Sequence, residues 1–286
     1  MSKINIGIIG FGFVGSSVAY GFSPQTGFDD ATIRIYDKDA ARSSHSLEGV
    51  LDESDFIFLS VPTPSNSDGT INISILHDVL GEISSHGTKD GCIVLVRSTI
   101  TPGTTRSFQE KYQNITFVFN PEFLTERSAK FDFINQSRFI LGGKPENTKK
   151  VSELFKKRFG NSTPTIETNF ETAEFIKYMN NCYYATKVSF MNEMRLIADN
   201  SNVDWYTAVD GFVRDGRIGH SHLAVPGPDG RRGFGGSCFP KDIQALMSYA
   251  GSIGVNTNVL KGAWETNLEV RPEKDWERLK GRAVSE

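Results

Sequence analysis

Residues 4–15 read Ile-Asn-Ile-Gly-Ile-Ile-Gly-Phe-Gly-Phe-Val-Gly, and this stretch decides the fold. Ile4 to Ile9 predicts a buried strand, which is followed at once by a glycine-rich turn and then by helically spaced apolar residues. Thr32 to Tyr36 predicts a second strand that ends at Asp37. Glycines in such a turn let the backbone approach a pyrophosphate, and an acid about 20 positions later receives the ribose hydroxyls. The stretch therefore predicts a dinucleotide site.

The residues expected to hold the dinucleotide lie in that turn and at the end of the second strand: Gly10, Gly12, Phe13, Val14, Gly15, Asp37 and Lys38. A carboxylate at Asp37 would repel a 2′-phosphate, so NAD is favoured over NADP. Lys38 stands beside that carboxylate and keeps NADP open as an alternative.

The alternation of strands and helices continues along the chain. Further strands are predicted at Asp55–Val61, Cys92–Val96, Thr116–Phe119, Arg138–Leu141 and Thr165–Glu167, with helical patterns at Ile71–Ile83, Gly103–Lys111 and Glu146–Phe159 between them. This order predicts an α/β fold with a Rossmann-type doubly wound parallel sheet. Ligands of such sheets bind beyond the carboxyl ends of the strands, where Thr99 and Glu122 fall.

The second part of the sequence is mainly helical. Glu171 to Asp199 lacks Gly and Pro and predicts one long helix, so we place an NAD-binding domain at 1–165 and a helical central domain at 166–286. Arg214–Arg232 predicts a loop, Ile243–Ser252 and Val255–Asn267 predict helices, and Arg271–Glu286 predicts a charged surface helix or a frayed tail.

Cys238 lies in the stretch Gly233-Phe-Gly-Gly-Ser-Cys-Phe-Pro-Lys-Asp242, just before a predicted helix. Backbone N–H groups, the helix dipole and Lys241 would all favour the thiolate, which makes this cysteine a candidate nucleophile. The alternative is a small, buried and inert cysteine in a tight turn.

Other polar residues carry weaker signals. Lys177 and Asn181 share a helix face and could point at one substrate oxygen, although a solvated face is the simpler interpretation of such a pair alone. Glu174 and Glu193 are interpreted as solvated or paired. His220 and His222 have no third ligand at a suitable spacing, so a metal site is disfavoured.

Composition narrows the class of partner. The chain has 286 residues and a formal net charge of −3 with scattered basic residues, so nucleic acid and membrane surfaces are not expected as partners. Its three cysteines are far apart, which argues against a disulfide framework or a zinc site. With no signal-peptide or transmembrane pattern, the expected location is the cytoplasm.

Motifs spread over nearly the whole chain resemble those of the UDP-glucose/GDP-mannose dehydrogenase family. Besides the glycine turn they are Val61-Pro-Thr-Pro64, Ser98-Thr99 with Pro102-Gly-Thr-Thr105, Asn120-Pro-Glu-Phe-Leu124 with Glu126, Ala173-Glu174 with Lys177 and Asn181, Asn192-Glu193, Arg217-Ile-Gly219 and Phe234–Asp242. They occur in the family's order. The cysteine motif and the Asn-Pro-Glu-Phe-Leu motif are the most specific of them.

The resemblance implies oxidation of a nucleotide-sugar primary alcohol to a carboxylate with two NAD⁺. Conversion of UDP-glucose to UDP-glucuronate is the first candidate reaction. Cys238 would attack the intermediate aldehyde, and the resulting hemithioacetal would be oxidised to a thioester. The other implied catalytic residues are Lys177 and Asn181 for the oxyanion, Glu122 as base, and Thr99 and Asp242 for a water. Pro62, Thr63, Thr99 and Glu126 would contact NAD, and Phe123, Leu124, Lys177, Arg217, Phe234 and Gly235 the substrate.

The resemblance also implies partners. The helix at 171–199 would form a homodimer interface, and Arg217 would reach the substrate of the neighbouring subunit. Full-length members continue into a third domain that binds the nucleotide, whereas this sequence stops at Glu286, so a separate chain is a possible source of nucleotide recognition. Two alternatives remain at this point: a non-catalytic or partner-dependent NAD-binding remnant, and an ordinary hydroxyacid dehydrogenase that has no use for Cys238.

Overall fold

A mixed sheet organises the first part of the chain in the computed structural model, which describes residues 3–285. Within those residues the sheet has seven strands in the order β2-β1-β3-β4-β5-β6-β7. Their bounds are β1 Ile4–Ile9, β2 Ala31–Tyr36, β3 Phe56–Leu59, β4 Ile93–Val96, β5 Phe117–Phe119, β6 Phe139–Gly142 and β7 Thr165–Thr168. The predicted Rossmann-type α/β fold is confirmed.

The first five strands are parallel, as the sequence predicts, but the last two run the other way. β6 pairs antiparallel with β5 at Phe119 and Gly142, and β7 is parallel to β6. An antiparallel neighbour needs no crossover that returns the chain to the starting edge, and here the chain passes from β5 to β6 through residues 120–138. The strictly parallel sheet expected from alternation is therefore wrong for these two strands.

Helices cover both faces of this sheet, which explains why its central strands are apolar on both sides. The α-helices among residues 3–285 are α1 Phe13–Gly21, α2 Leu47–Glu53, α3 Ser74–His86, α4 Thr104–Lys111, α5 Ala129–Ile134, α6 Pro145–Phe159, α7 Phe170–Asp199, α8 Trp205–Val213, α9 Phe239–Ser252 and α10 Asn258–Val270. Leu51, Leu80 and Phe108 line one core and Val18, Phe133 and Phe155 line the other.

The chain divides into two compact units. The first unit runs to Thr63 and resumes at Ile73–Lys177, and the second comprises Pro64–Asn72 and the chain from Tyr178 onward. The division falls within α7, whereas the sequence analysis places its boundary at residue 165. The second unit is helical and has its own apolar core, which includes Cys182, Phe234 and Ile243. None of the helices in residues 3–285 is long and apolar enough to cross a membrane.

The segment after α10 differs from its prediction. Arg271, Trp276 and Ala283 are buried, and Asp275–Arg278 forms a short 3₁₀ turn. Trp276 packs against Trp264 with ring centroids 5.4 Å apart. A surface helix or frayed tail is therefore wrong for residues 271–285, and Glu286 lies outside the described residues. Burial of the apolar side chains of Trp276 and Ala283 outweighs the charged composition that suggested exposure.

Candidate functional site

The three glycines of the turn after β1 have different physical reasons to be glycine. Gly10 has a φ of +89°, and a Cβ there would lie 2.5 Å from the Ser60 carbonyl oxygen. A Cβ on Gly15 would lie 2.0 Å from the Gly10 oxygen, so this glycine allows helix and turn to pack. Gly12 precedes α1 and has open space around its Cβ position. That space lies over a helix N-terminus, where a pyrophosphate fits.

Asp37 follows β2 and is tied to the turn after β1. Its Oδ2 accepts the Phe11 N–H at 2.7 Å and its Oδ1 accepts the Asp39 N–H at 2.9 Å. The carboxylate therefore stabilises the glycine turn as well as standing where ribose hydroxyls are expected. Of these two roles, only the second is predicted from the sequence. Lys38 is exposed beside it.

The loops after β3 and β4 are joined at the carboxyl edge of the sheet. Thr63 donates its hydroxyl to the Thr99 carbonyl at 2.8 Å, and Ser98 donates to the Val61 carbonyl at 2.7 Å. Pro62 is the residue directly before Thr63. The fold thus brings the predicted residues Pro62, Thr63 and Thr99 to one edge.

A cleft of about 380 Å³ lies beside the start of α1. Phe13 contributes to one wall and Glu126 to another, together with Ser16, Ser17 and residues 127–131. Val14 stands in the first turn of α1, next to Phe13. Two residues expected to contact NAD, Phe13 and Glu126, therefore share one open space in the first unit.

Glu122 and Lys177 form a buried ion pair in the first unit. Lys177 Nζ lies 2.8 Å from Glu122 Oε1 and 2.6 Å from the Glu122 carbonyl oxygen. The second carboxylate oxygen accepts the Leu124 N–H at 2.7 Å. Both side chains are almost fully shielded from solvent, with 3% and 7% exposure. The ammonium is consequently positioned by a carboxylate rather than left to sample solvent.

The ring of Phe123 lies near two cations, one of which is Lys177 of this pair. The Arg138 guanidinium is 4.5 Å from the ring centroid and Lys177 Nζ is 5.5 Å from it. Leu124 is buried, so its side chain contributes to the apolar core. Of the two residues predicted to bind substrate here, Phe123 remains partly accessible and Leu124 offers mainly its backbone.

Cys238 occupies the N-cap position of α9 in the second unit and is partly accessible. The Ser237 hydroxyl lies 3.8 Å from its sulfur. The other two cysteines are buried: burial raises the pKa of the Cys92 thiol to about 12 and raises the pKa of Cys182 as well. A thiol held in its protonated form is a poor nucleophile, so the surroundings of Cys92 and Cys182 do not suit nucleophilic chemistry.

Asp242 joins the cysteine helix to α7. Asn181 Nδ2 donates to Asp242 Oδ2 at 2.6 Å, and Lys241 Nζ donates to Asp242 Oδ1. All three side chains are buried. The predicted oxyanion donors thus each face a carboxylate: Lys177 contacts Glu122 in the first unit and Asn181 contacts Asp242 in the second.

The remaining predicted substrate residues differ in accessibility. Arg217 is 88% exposed and pairs with Asp215. Phe234 is buried, and its ring packs against Phe239 and Trp264, so only its backbone faces the turn. Gly235 is approached closely by Arg271.

Sequence analysis treats Glu174 as solvated or paired, but the structure buries it at the N-terminus of α4. Its carboxylate accepts the N–H groups of Gly103 and Thr105 and the Thr105 hydroxyl at 2.6–2.8 Å. Burial raises the pKa of Glu174 to about 7, against these hydrogen bonds, which favour the carboxylate. Gly103, at the N-cap of α4, has no side chain that could cap the helix. The need for a capping group from elsewhere is the signal that could have indicated Glu174.

Comparison with known proteins assigns both units to one group of sequences. Residues 29–159 match the model of the NAD binding domain of the UDP-glucose/GDP-mannose dehydrogenase family, and residues 171–269 match the model of its central domain. The glycine turn lies before the first matched range. It is therefore an observation independent of that match.

Individual relatives agree with the family models. The UDP-glucose 6-dehydrogenase of Rickettsia typhi is 30% identical over 300 residues, which cover 94% of this chain and 68% of that protein. The UDP-glucose 6-dehydrogenase YwqF of Bacillus subtilis is 34% identical over 230 residues, which cover 78% of this chain and 50% of that protein. A UDP-glucose dehydrogenase structure from Pyrobaculum islandicum has a TM-score of 0.79 at 27% identity, covering 97% of this chain and 70% of the other. The chain spans about half the length of several curated relatives.

Proposed function

The chain belongs to the UDP-glucose/GDP-mannose dehydrogenase family, and from that premise we propose that it oxidises the primary alcohol of a nucleotide sugar to the carboxylate, with UDP-glucose as the first candidate. The observation that carries this proposal is Cys238, a partly accessible thiol at the start of α9, in a chain whose other two cysteines are buried. A simple alcohol oxidation does not require a thiol. Oxidation to the acid gains from one, because a covalent intermediate retains the aldehyde between the two oxidations.

In the proposed reaction the Cys238 thiolate adds to the aldehyde carbon and forms a hemithioacetal. Oxidation of this adduct gives a thioester, and water cleaves the thioester to release the acid and the thiolate. Lys177 and Asn181 would donate to the oxyanion, a contribution of about 3–4 kcal/mol for a well-placed donor. Glu122 would accept a proton from the attacking water, and Thr99 and Asp242 would orient that water.

The cofactor proposed for both oxidations is NAD⁺, which would accept one hydride in each. Gly10, Gly12 and Gly15 would hold its pyrophosphate, a placement supported by the open space at Gly12 before the N-terminus of α1. Asp37 would accept the ribose hydroxyls, with Pro62, Thr63 and Thr99 along the sheet edge. Glu126 would lie near the nicotinamide.

We further propose a homodimer through α7. Phe175, Met179, Tyr183 and Phe190 are 45–63% exposed in the single chain and recur at spacings of four and seven along the helix. An apolar stripe of this kind on one helix face is typical of a surface that another chain covers. A Tyr183→Glu variant should sediment as a monomer, while the wild type sediments as a dimer.

Turnover is tested by incubating the full chain with NAD⁺ and a panel of UDP-glucose, GDP-mannose and related UDP-sugars while recording NADH absorbance. The proposal expects two NADH per sugar consumed. Cys238→Ala should yield at most one NADH per sugar, because the second oxidation needs the thiol adduct. Cys92→Ala is the matched control and should keep the stoichiometry of two.

Two outcomes would replace the proposal. If no sugar yields NADH, alone or with a candidate partner chain that supplies nucleotide recognition, the chain is a non-catalytic NAD-binding relative. If Cys238→Ala retains full activity with one NADH per substrate, the chain is an ordinary hydroxyacid dehydrogenase. A trapped thioester on Cys238, detected by mass spectrometry of the peptide, would exclude both.

A further inference from the structure

The turn Gly233–Ser237, which leads into Cys238, is held by side chains that lie far away in sequence. We propose that Arg271 and Asp275, in the segment after α10, are positioning residues for Cys238. They act through the backbone of this turn and do not touch substrate. The inference rests on the proposed role of Cys238 as the nucleophile.

Backbone groups of the turn bond to side chains rather than to each other. Asp275 Oδ2 accepts the Gly236 N–H at 3.3 Å, two residues before Cys238. Asn267 accepts the Phe234 N–H at 2.7 Å and donates to the Phe234 carbonyl at 3.0 Å. Asn192, from α7, accepts the Gly233 N–H at 3.1 Å. The path of the chain into Cys238 is thus fixed from α7, α10 and the segment beyond it.

The glycines of the motif fit this arrangement. A Cβ on Gly233 would lie 2.4 Å from Asn267 Oδ1. A Cβ on Gly235 would lie 2.4 Å from Arg271 Nη2 and 2.5 Å from Asp275 Oδ1. Such distances exclude any side chain without movement of a buried partner. Glycine is therefore required at Gly235 because the Arg271–Asp275 pair presses against it.

Arg271 connects the pair to the loop before the turn. Its Nε donates to Asp275 Oδ1 at 2.6 Å, its Nη2 to Asp229 Oδ2 at 2.7 Å and its Nη1 to the Arg232 carbonyl at 3.2 Å. Its guanidinium side chain is only 3% exposed. A buried guanidinium group that donates to three acceptors is held in one orientation, which a lysine ammonium could not reproduce.

A flexible turn would harm this particular reaction. Gly233 and Gly236 have φ values of +67° and +72°, a region in which glycine moves easily between conformations. A thiolate must approach the aldehyde carbon to within about 3–3.5 Å in the correct direction, and small misplacements reduce the rate strongly. The hydrogen bonds of Arg271 and Asp275 therefore restrain a turn whose glycines would otherwise be flexible.

The test compares Asp275→Ala with Asp229→Ala. Both substitutions remove one carboxylate partner of Arg271, but only Asp275 bonds to the turn. Asp275→Ala is expected to lower kcat for the nucleotide sugar at least tenfold with KM for NAD⁺ within twofold of wild type. Asp229→Ala should stay within threefold in kcat. Arg271→Lys keeps the charge and loses the fork, so it should lower kcat at least threefold even if Asp275→Ala fails to fold.

A second readout does not depend on turnover. The rate at which iodoacetamide alkylates Cys238 is measured by peptide mass spectrometry in wild type, in Asp275→Ala, in Asp229→Ala and in the urea-unfolded chain. Removal of a negative charge alone would raise this rate at pH 7 by favouring the thiolate, whereas loss of position at the N-terminus of α9 is expected to lower it at least fivefold. Equal rates in Asp275→Ala and Asp229→Ala would overturn the positioning role.

The two possible failures are distinguishable. If wild-type Cys238 reacts no faster than in the unfolded chain, the proposed nucleophile itself is wrong. If wild-type Cys238 reacts faster and Asp275→Ala matches wild type in both alkylation and kcat, only the positioning role is wrong.

Discussion

Lys177→Met should destabilise the first unit far more than loss of an ordinary surface ion pair. The substitution leaves the Glu122 carboxylate buried, and within residues 3–285 the hydrogen bond from the Leu124 N–H, at 2.7 Å, is the one that remains to it. Breaking a buried pair in this way costs about 3–5 kcal/mol in the free energy of unfolding. The corresponding change at an exposed pair costs about 0–1 kcal/mol.

Arg214 and Asp210 provide the matched control, because their pair is 76% and 64% exposed. Arg214→Met is expected to change the free energy of unfolding by less than about 1 kcal/mol. In the double variant Lys177→Met with Glu122→Gln neither side chain of the pair carries a charge, so its loss should be about 2–3 kcal/mol smaller than the sum of the single losses.

Urea denaturation followed by far-UV circular dichroism is the suitable assay. The three tryptophans, Trp205, Trp264 and Trp276, all belong to the second unit, so tryptophan fluorescence would not report on the first. A loss below about 1 kcal/mol for Lys177→Met, equal to the control, would refute the reasoning. It would mean that water reaches the carboxylate once the amine is gone.

Three further predictions concern other parts of the first unit. Burial raises the pKa of Glu174 from 4.5 to about 7, so between these pH values the folded chain keeps a proton that the unfolded chain loses. The free energy of unfolding of wild type, measured relative to that of Glu174→Gln, should therefore fall by up to about 3 kcal/mol from pH 4.5 to 7. A difference that does not change with pH would contradict this. Asp37→Asn retains an oxygen for the turn but should weaken NAD⁺ binding roughly tenfold by calorimetry, and unchanged affinity would remove its ribose role. Gly142→Ala places a Cβ 2.6 Å from that of Ala173 and should cost about 1–3 kcal/mol in urea denaturation, while Gly143→Ala, with contacts no closer than 3.4 Å, is the control and should cost less.

Periodicity and turn chemistry were sufficient to predict most of the elements. The strands from Ile4 to Phe119, the long helix α7 and the helix after Cys238 follow from the spacing of apolar residues along one stretch of chain. The glycine turn and Asp37 were likewise predicted from their order alone. β6 and β7 were predicted as strands, but their direction was not, since a strand's own sequence does not record which neighbour it joins.

The pairing of polar side chains could not be predicted in the same way. Lys177 with Glu122, Asn181 with Asp242 and Arg271 with Asp229 are separated by 55, 61 and 42 positions in the sequence. Hydrogen bonds act over about 3 Å, so a partner is decided only when the chain has folded and brought two distant residues together.

The sequence by itself determined the strands, the glycine turn, the long helix and the thiol at the start of α9, because each depends on neighbours within a few residues. Only the tertiary structure decided that Glu174 is buried, that two carboxylates hold Lys177 and Asn181, and that the segment from Arg271 to Asp275 grips the cysteine turn. Burial and long-range hydrogen bonds are properties of the packed molecule. A charged residue is exposed or buried according to what packs against it, which its local sequence does not specify.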